Sequence, residues 1–210
     1  MLDREVFSCI LPETVLMIGF AQPVVRQAAL EFGIEVVELA EDDEVAILNS
    51  IPTAEGAIFL AMEKLPITIH GSRAVVLGFG RCAQTLARTL QALRAQTTVV
   101  ARNSGQRARA YEMGLASFGF DQINGVTANA DLIFNTVPAM ILTDDVLAGL
   151  RQDTVIIDLA SSPGGTDFKA AERLGIQAVL ALGLPGKVAP QTAGEIMAKG
   201  VLKIISQYLS

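Results

Sequence analysis

Hydrophobic positions along this chain follow two rhythms. Apolar runs of four to six residues alternate with longer stretches in which apolar residues recur every three or four positions. A short run bounded by turn residues marks a strand buried on both faces, and the wider spacing marks a helix with one face in the core. Residues 15–20 and 34–39 are runs of the first kind. Between them, Val24, Val25, Ala28, Ala29 and Phe32 line one side of a helix opened by Pro23 and closed by Gly33. That makes one βαβ unit, too few strands for an independent sheet. It pairs with the larger domain, with a partner chain or with chain upstream, and missing or displaced upstream chain is the favoured expectation.

The alternation then becomes regular. A helix is expected over 54–65, capped by Thr53 and stopped by Pro66. Strands follow at 74–77, 97–101, 115–118, 130–134, 154–159 and 177–182. Helices are expected over 82–95 and 104–113, and a short one after Thr143 as its cap. The last helix, 192–209, places Ile196, Met197, Val201, Leu202, Ile205 and Leu209 on one face. Strands alternating with helices predict an α/β fold, a Rossmann-type doubly wound parallel sheet with a partial second α/β domain joined by crossing helices. The expected divisions are a remnant of an N-terminal domain at 1–48, an interdomain helix and linker at 49–70, a dinucleotide-binding domain at 71–190, and a C-terminal helix at 191–210 packing back toward the first domain.

The sharpest chemistry lies in RAVVLGFGRCA, residues 73–83. A strand enters Gly78-Phe79-Gly80, and Arg81, Cys82 and Ala83 open a helix, which is G-x-G-x-x-A in the context of a dinucleotide-binding turn. The first glycine permits the tight turn. The second lets backbone N–H groups approach a pyrophosphate at the positive helix end, and Ala83 lets helix and strand pack closely. Cys82 reads as a small packing residue rather than a nucleophile.

The end of the next strand selects the dinucleotide. NAD enzymes place Asp or Glu there for the ribose 2′-hydroxyl. This chain has Arg102-Asn103-Ser104, with Arg107 and Arg109 behind. A guanidinium with amide and hydroxyl donors suits a 2′-phosphate, so NADP is expected over NAD. Arg109 reads as part of a solvated helix face. Asn135, Thr136, Val137 and Pro138 follow a central strand, at the edge where open α/β sheets bind ligands, with ordinary turn formation as their competing role. Ser161 and Ser162 stand in a second polar loop suited to a carboxylate or amide. Asp158, inside the strand before it, is either paired or functional. Lys187 is the cation of the loop 183–190.

Bulk properties narrow the classes. Net charge is −6, from 16 basic and 22 acidic residues without a basic run, which argues against nucleic acid. The acidic run 41–44 reads as a solvated face or a helix first turn. Two cysteines suggest no disulfide framework, and no signal peptide or membrane span is read, so the cytoplasm is expected. His70 is the single histidine and precedes the first Rossmann strand, at the edge opposite the ligand edge. A histidine-built zinc site is excluded and no metal is expected. GxSxG is absent, so a hydrolase elbow is not supported.

Four stretches go beyond the fold: NSIPTAEGAIFLAMEKLPITIHGS, VVLGFGRCAQTLARTL, DLASSPGGTDFKAAERLGI and ALGLPGKVAPQTAGEI. With their order, they make the chain resemble the dipicolinate synthase A-subunit family of spore-forming bacteria. The resemblance implies two domains, arranged as in 2-hydroxyacid and alanine dehydrogenases, the smaller one flavodoxin-like. Members carry more chain before the point equivalent to Val15, so this sequence resembles one lacking most of its N-terminal domain. The implied role is an NADP-linked oxidoreductase subunit. It would convert a hydroxy-tetrahydro- or dihydrodipicolinate to dipicolinate during sporulation, in the mother-cell cytoplasm, with a flavoprotein second subunit.

Carried onto this chain, Gly78, Gly80 and Arg81 would hold pyrophosphate and Arg102, Asn103 and Ser104 the 2′-phosphate. Thr136, Val137 and Pro138 would border the nicotinamide. Ser161, Ser162, Gly164 and Lys187 would face the dicarboxylate, Lys187 as charge clamp or proton shuttle. Two other readings stay open: a non-catalytic nucleotide-binding scaffold, and a stand-alone NADP-dependent dehydrogenase of another small acid. No late histidine exists to act as in D-2-hydroxyacid dehydrogenases, which argues against that activity. Apolar surface on a curtailed first domain, with an unpaired strand edge, leads to an expectation of homo-oligomers.

Overall fold

In the computed structural model, which describes residues 4–11 and 13–208, the alternating pattern folds into parallel strands covered by helices. The chain divides into two compact units. One is built from residues up to Asn49 and from Gln191 onward, the other from Ser50–Pro190.

The first unit contains α1 (Arg4–Ser8), β1 (Val15–Ile18), α2 (Pro23–Glu31), β2 (Glu35–Glu38) and the opening turns of α3 (Asp43–Lys64). β1 and β2 pair in parallel, Val15 opposite Glu35 and Ile18 opposite Glu38. Phe7, Val25, Ala28, Ala29 and Ile34 form one small core. Leu39 and Val45 form another with Ile196 and Ile204 of the last helix. The acidic run does form a helix start, since Asp43 and Glu44 lie in the first turn of α3. Its neighbour Asp42 accepts from the Val45 N–H at 3.0 Å. Lys203 pairs with Asp42 at 2.9 Å and Glu44 at 3.0 Å.

The helix expected to start after Thr53 needs correction. α3 is one helix of 22 residues, and Thr53 lies inside it next to an internal Pro52. An internal proline lacks the N–H that would bond the carbonyl four residues back and costs about 3 kcal/mol in an isolated helix. Here burial on both sides of the proline carries the helix through. Val45 is buried in one core, and Ala54, Ala57, Ile58 and Ala61 in the other. The joined helix is also long and apolar enough to cross a membrane by length and composition. Of that apolar window 44% is buried, Ala54, Ala57 and Ala61 within it.

The second unit continues with β3 (Arg73–Leu77), α4 (Arg81–Ala92), β4 (Gln96–Val100), α5 (Ser104–Glu112), β5 (Ala116–Phe118), α6 (Ile123–Thr127), β6 (Leu132–Asn135), α7 (Asp144–Ala148), β7 (Val155–Asp158), α8 (Phe168–Leu174), β8 (Gln177–Leu180) and α9 (Leu184–Val188). The last helix, α10 (Pro190–Tyr208), belongs almost wholly to the first unit. Leu209, expected on its apolar face, lies outside the described residues. The six strands lie in the order β5-β4-β3-β6-β7-β8, all parallel.

Alternate residues serve opposite faces of this sheet. Ala74, Val76, Val99, Leu132, Phe134, Val155 and Ile157 join the core that also holds residues of α3 and α4. Val75, Leu77, Val100, Ile133 and Ile156 join the core with α7 and α8. Helices therefore cover both faces, as a doubly wound sheet requires. The short helices α6, α8 and α9 span too few turns to leave a periodic signal. Thr143 stands at the cap position of α7, but its side chain makes no capping bond. Asp167 does cap α8, accepting from the Ala170 N–H at 3.0 Å.

At the amino ends of β3 and β6, Asp131 anchors an ion cluster. It accepts from the backbone N–H of Arg73 at 2.8 Å and from the guanidiniums of Arg73 at 2.9 Å and Arg151 at 2.7 Å. Above all the Arg73 guanidinium bond, against a smaller opposing effect of burial, holds the Asp131 carboxyl down at about 2. His70 is exposed just before β3, at this same edge.

Candidate functional site

Strand order reverses at β3. The chain winds outward through β4 and β5, then crosses to β6 on the other side of β3. The carboxyl ends of the strands at such a reversal are the ligand position of open α/β sheets, and here the loops after β3 and β6 stand side by side. The glycine turn leaves β3 here. Gly78 has φ +92, and a Cβ there would lie 2.4 Å from Thr136 Oγ1 and 3.0 Å from Val137 Cγ2. Thr136 itself donates from Oγ1 to the Leu77 carbonyl at 2.8 Å. The first glycine is thus required by backbone conformation and by the β6 loop pressed against it.

Gly80 differs. It is exposed, and a Cβ there would meet nothing within 4 Å. It stands at the N-cap of α4 without a side-chain cap. The first backbone bond of that helix runs from the Gln84 N–H to the Gly80 carbonyl at 3.0 Å. Open space beside first-turn N–H groups at the positive end of a helix fits a pyrophosphate. Ala83 is fully buried, as helix-on-strand packing requires, and Phe79 has its ring in the core, leaving only its backbone for a ligand. Burial pushes the Cys82 thiol up to about 11, which leaves it a packing residue rather than a nucleophile.

At the end of β4 the arginines separate. Arg109 pairs with Glu112 at 2.9 Å on the helix surface. Arg107 donates to the carbonyls of Ala101 at 2.9 Å and Arg102 at 2.7 Å, bracing the turn. Arg102 is exposed and forms no ion pair among the described residues. Asn103 caps α5 through Oδ1, accepting from the Gly105 N–H at 2.7 Å. Its oxygen is committed to the helix, and the exposed Ser104 follows in the first turn.

The loops after β6 and β7 are stitched together. Asn135 is fully buried. Its amide donates to the Val137 carbonyl at 3.2 Å and to Asp158 at 3.0 Å, and its oxygen accepts from the Val137 N–H at 3.1 Å. Asn135 therefore shapes the loop from within, its side-chain amide bonded to Val137 and Asp158. Thr136 and Val137 are half-buried and Pro138 is exposed. Asp158 is the residue that sequence reading left undecided. It is fully buried and accepts four hydrogen bonds, from Asn135, the Ala160 and Gly165 N–H groups and the Thr166 hydroxyl. Between these anchors, Ser161, Ser162 and Pro163 stand exposed. Lys187 is likewise exposed, but in the last turn of α9 rather than in a loop. No hydrogen bond joins it to Ser161 or Ser162 among the described residues.

A parallel six-stranded sheet with a glycine turn at its reversal point is the architecture of a dinucleotide-binding domain. The family model of the D-isomer specific 2-hydroxyacid dehydrogenase NAD binding domain matches residues 54–163. Beyond that class, the chain belongs to the dipicolinate synthase A-subunit family. It is 46% identical over 206 residues to the dipicolinate synthase A-subunit of Bacillus subtilis (strain 168), covering 98% of this chain and 68% of the relative. The crystal structure of the dipicolinate synthase A-subunit from Bacillus halodurans superposes with a TM-score of 0.92 at 42% identity, covering 97% of this chain and 70% of the other. A more distant relative is shikimate dehydrogenase (NADP(+)) of Psychromonas ingrahamii, 25% identical over 160 residues, covering 72% of this chain and 57% of the relative.

Proposed function

We propose that this chain is the NADP-linked oxidoreductase subunit of a dipicolinate synthase. The observation carrying the NADP assignment is the end of β4, where exposed Arg102 takes the place of the acidic residue that NAD enzymes use. Arg107 braces the two carbonyls beneath it, so the guanidinium of Arg102 is presented on a held turn. The substrate class rests on the identity to the dipicolinate synthase A-subunit of Bacillus subtilis. The NADP(+) in the name of the more distant shikimate dehydrogenase agrees with the cofactor reading.

In this reading Gly78, Phe79, Gly80, Arg81 and Cys82 cradle the pyrophosphate through their backbone, and Arg102, Asn103 and Ser104 hold the 2′-phosphate. Thr136, Val137 and Pro138 border the nicotinamide side. Ser161 and Ser162 offer hydroxyl donors to a dicarboxylate and Lys187 a positive charge. Bound NADP⁺ supplies the hydride acceptor. The net change is loss of water and two hydrogens from a hydroxy-tetrahydrodipicolinate, one leaving as hydride and one as a proton, to give the aromatic dicarboxylate. A flavoprotein second subunit completes the synthase in the cytoplasm. The domain divisions belong to the same proposal: nucleotide at 71–190, interdomain helix and linker at 49–70, and 1–48 with 191–210 as parts of the smaller domain.

Titration of the purified chain with NADP and NAD tests the cofactor. NADP is expected to bind at least about tenfold tighter, and Arg102→Asp to erase that preference. Equal affinities in the unmodified chain would refute the 2′-phosphate argument. For the reaction, the chain is combined with the flavoprotein partner, and dipicolinate is followed by absorbance. Formation that is indifferent to NADP would leave a nucleotide-binding scaffold in place of an oxidoreductase.

A further inference from the structure

Asp158 has no exposure and forms no ion pair among the described residues. Such a group is stable only when hydrogen bonds replace its hydration. Here they do, and they come from two different loops. Oδ1 accepts from Asn135 Nδ2 at 3.0 Å and the Ala160 N–H at 3.0 Å. Oδ2 accepts from the Gly165 N–H at 2.9 Å and the Thr166 hydroxyl at 2.6 Å. An ionised carboxylate accepts at both oxygens, whereas asparagine accepts at one and would turn an N–H toward two donors.

The stitching runs back as well. The Gly165 carbonyl accepts from the N–H groups of Ile141 and Leu142, both at 2.9 Å, and the Asp167 N–H bonds the Leu142 carbonyl at 3.0 Å. A Cβ on Gly165 would lie 2.5 Å from Asn135 Nδ2 and from the carbonyl oxygens of Val137 and Ala139. The loops 135–142 and 158–167 thus form one platform around the buried Asp158 side chain. Among the described residues the glycine turn at 78–80 gives no hydrogen bond to Asp158; Thr136 of the platform lies against Gly78 and bonds the Leu77 carbonyl.

We propose that Asp158 is a positioning residue for one half of the dinucleotide site. It sets the platform that borders the nicotinamide side, while the glycine turn and the β4 end bind the adenosine half independently of it. The proposal rests on the reading of this edge as an NADP site. Asp158 touches no ligand; it acts through the loops that its four acceptor bonds hold.

The test compares two ligands on the full chain by calorimetry: NADPH, which engages both halves, and adenosine 2′,5′-bisphosphate, which engages only the adenosine half. In Asp158→Asn the advantage of NADPH over the fragment is expected to fall about tenfold, with fragment affinity held within about twofold. Thr166→Val, which removes one donor, is expected to lower the advantage about threefold and serves if Asp158→Asn does not fold. Emission of bound NADPH, a readout of nicotinamide immobilisation, should weaken in the same order. Equal losses for both ligands would reduce Asp158 to a general structural role, and unchanged ratios in both variants would likewise overturn the proposal. An unmodified chain that binds neither ligand would refute the NADP reading itself, and the proposal with it.

Discussion

Replacing Asp131 by asparagine removes the charge from the ion cluster at the amino ends of β3 and β6 while keeping its shape. The carboxyl drops from the ordinary value near 3.9 to about 2 in the folded chain. At 1.36 kcal/mol per unit, that difference corresponds to roughly 2.5 kcal/mol of stability. The Arg73 and Arg151 side chains are 44% and 34% exposed, so solvent screens part of the attraction. Screening brings the expected contribution to about 1–2 kcal/mol.

The sign follows from the direction of the shift. A carboxyl whose folded value is depressed stabilises fully above its unfolded value, near 4, and loses that contribution as pH falls toward 2. Urea unfolding of the original chain and Asp131→Asn at pH 7 and pH 3 reads this out. The gap between them is expected to be about 1–2 kcal/mol at pH 7 and about half of that at pH 3. Asp153→Asn, at an exposed partner of Arg151, serves as control and should stay within about 0.5 kcal/mol. A gap of the same size at both pH values would show that lost packing, not charge, sets the effect.

The two glycines of the turn should separate fold from ligand. Gly78→Ala meets a positive φ and a 2.4 Å overlap with Thr136 Oγ1, so urea unfolding should show a loss of about 2–4 kcal/mol. Gly80→Ala meets open space; its stability should hold within about 1 kcal/mol while NADPH affinity falls about tenfold. Equal stability losses in the two variants would contradict this division. The Cys82 thiol, raised to about 11, should react with iodoacetamide at pH 8 at least about a hundredfold more slowly than an ordinary exposed thiol. Peptide mapping that finds Cys82, which is half-buried, modified as fast as the exposed Cys9 would contradict the raised value.

Local pattern determined most of the architecture. Apolar runs such as 74–77 and 130–134 alternate with helical spacing, and such strands are buried on both faces wherever helices cover them, so their order was legible. The glycine turn was legible too, because a strand, two glycines and a helix start within a few residues impose the same backbone in many contexts. Arg102 could be placed because it follows its strand directly. Tertiary structure decided the remainder. α3 runs through Pro52 because buried neighbours on both sides outweigh a local penalty that sequence alone reads as a stop. Asn135 carries an ordinary turn signal, yet its amide is held by Asp158, 23 residues away. Asp158 itself has no local signature. Its role depends on donors brought together by the adjacent packing of β6 and β7, and contacts between distant residues exist only once the sheet has assembled.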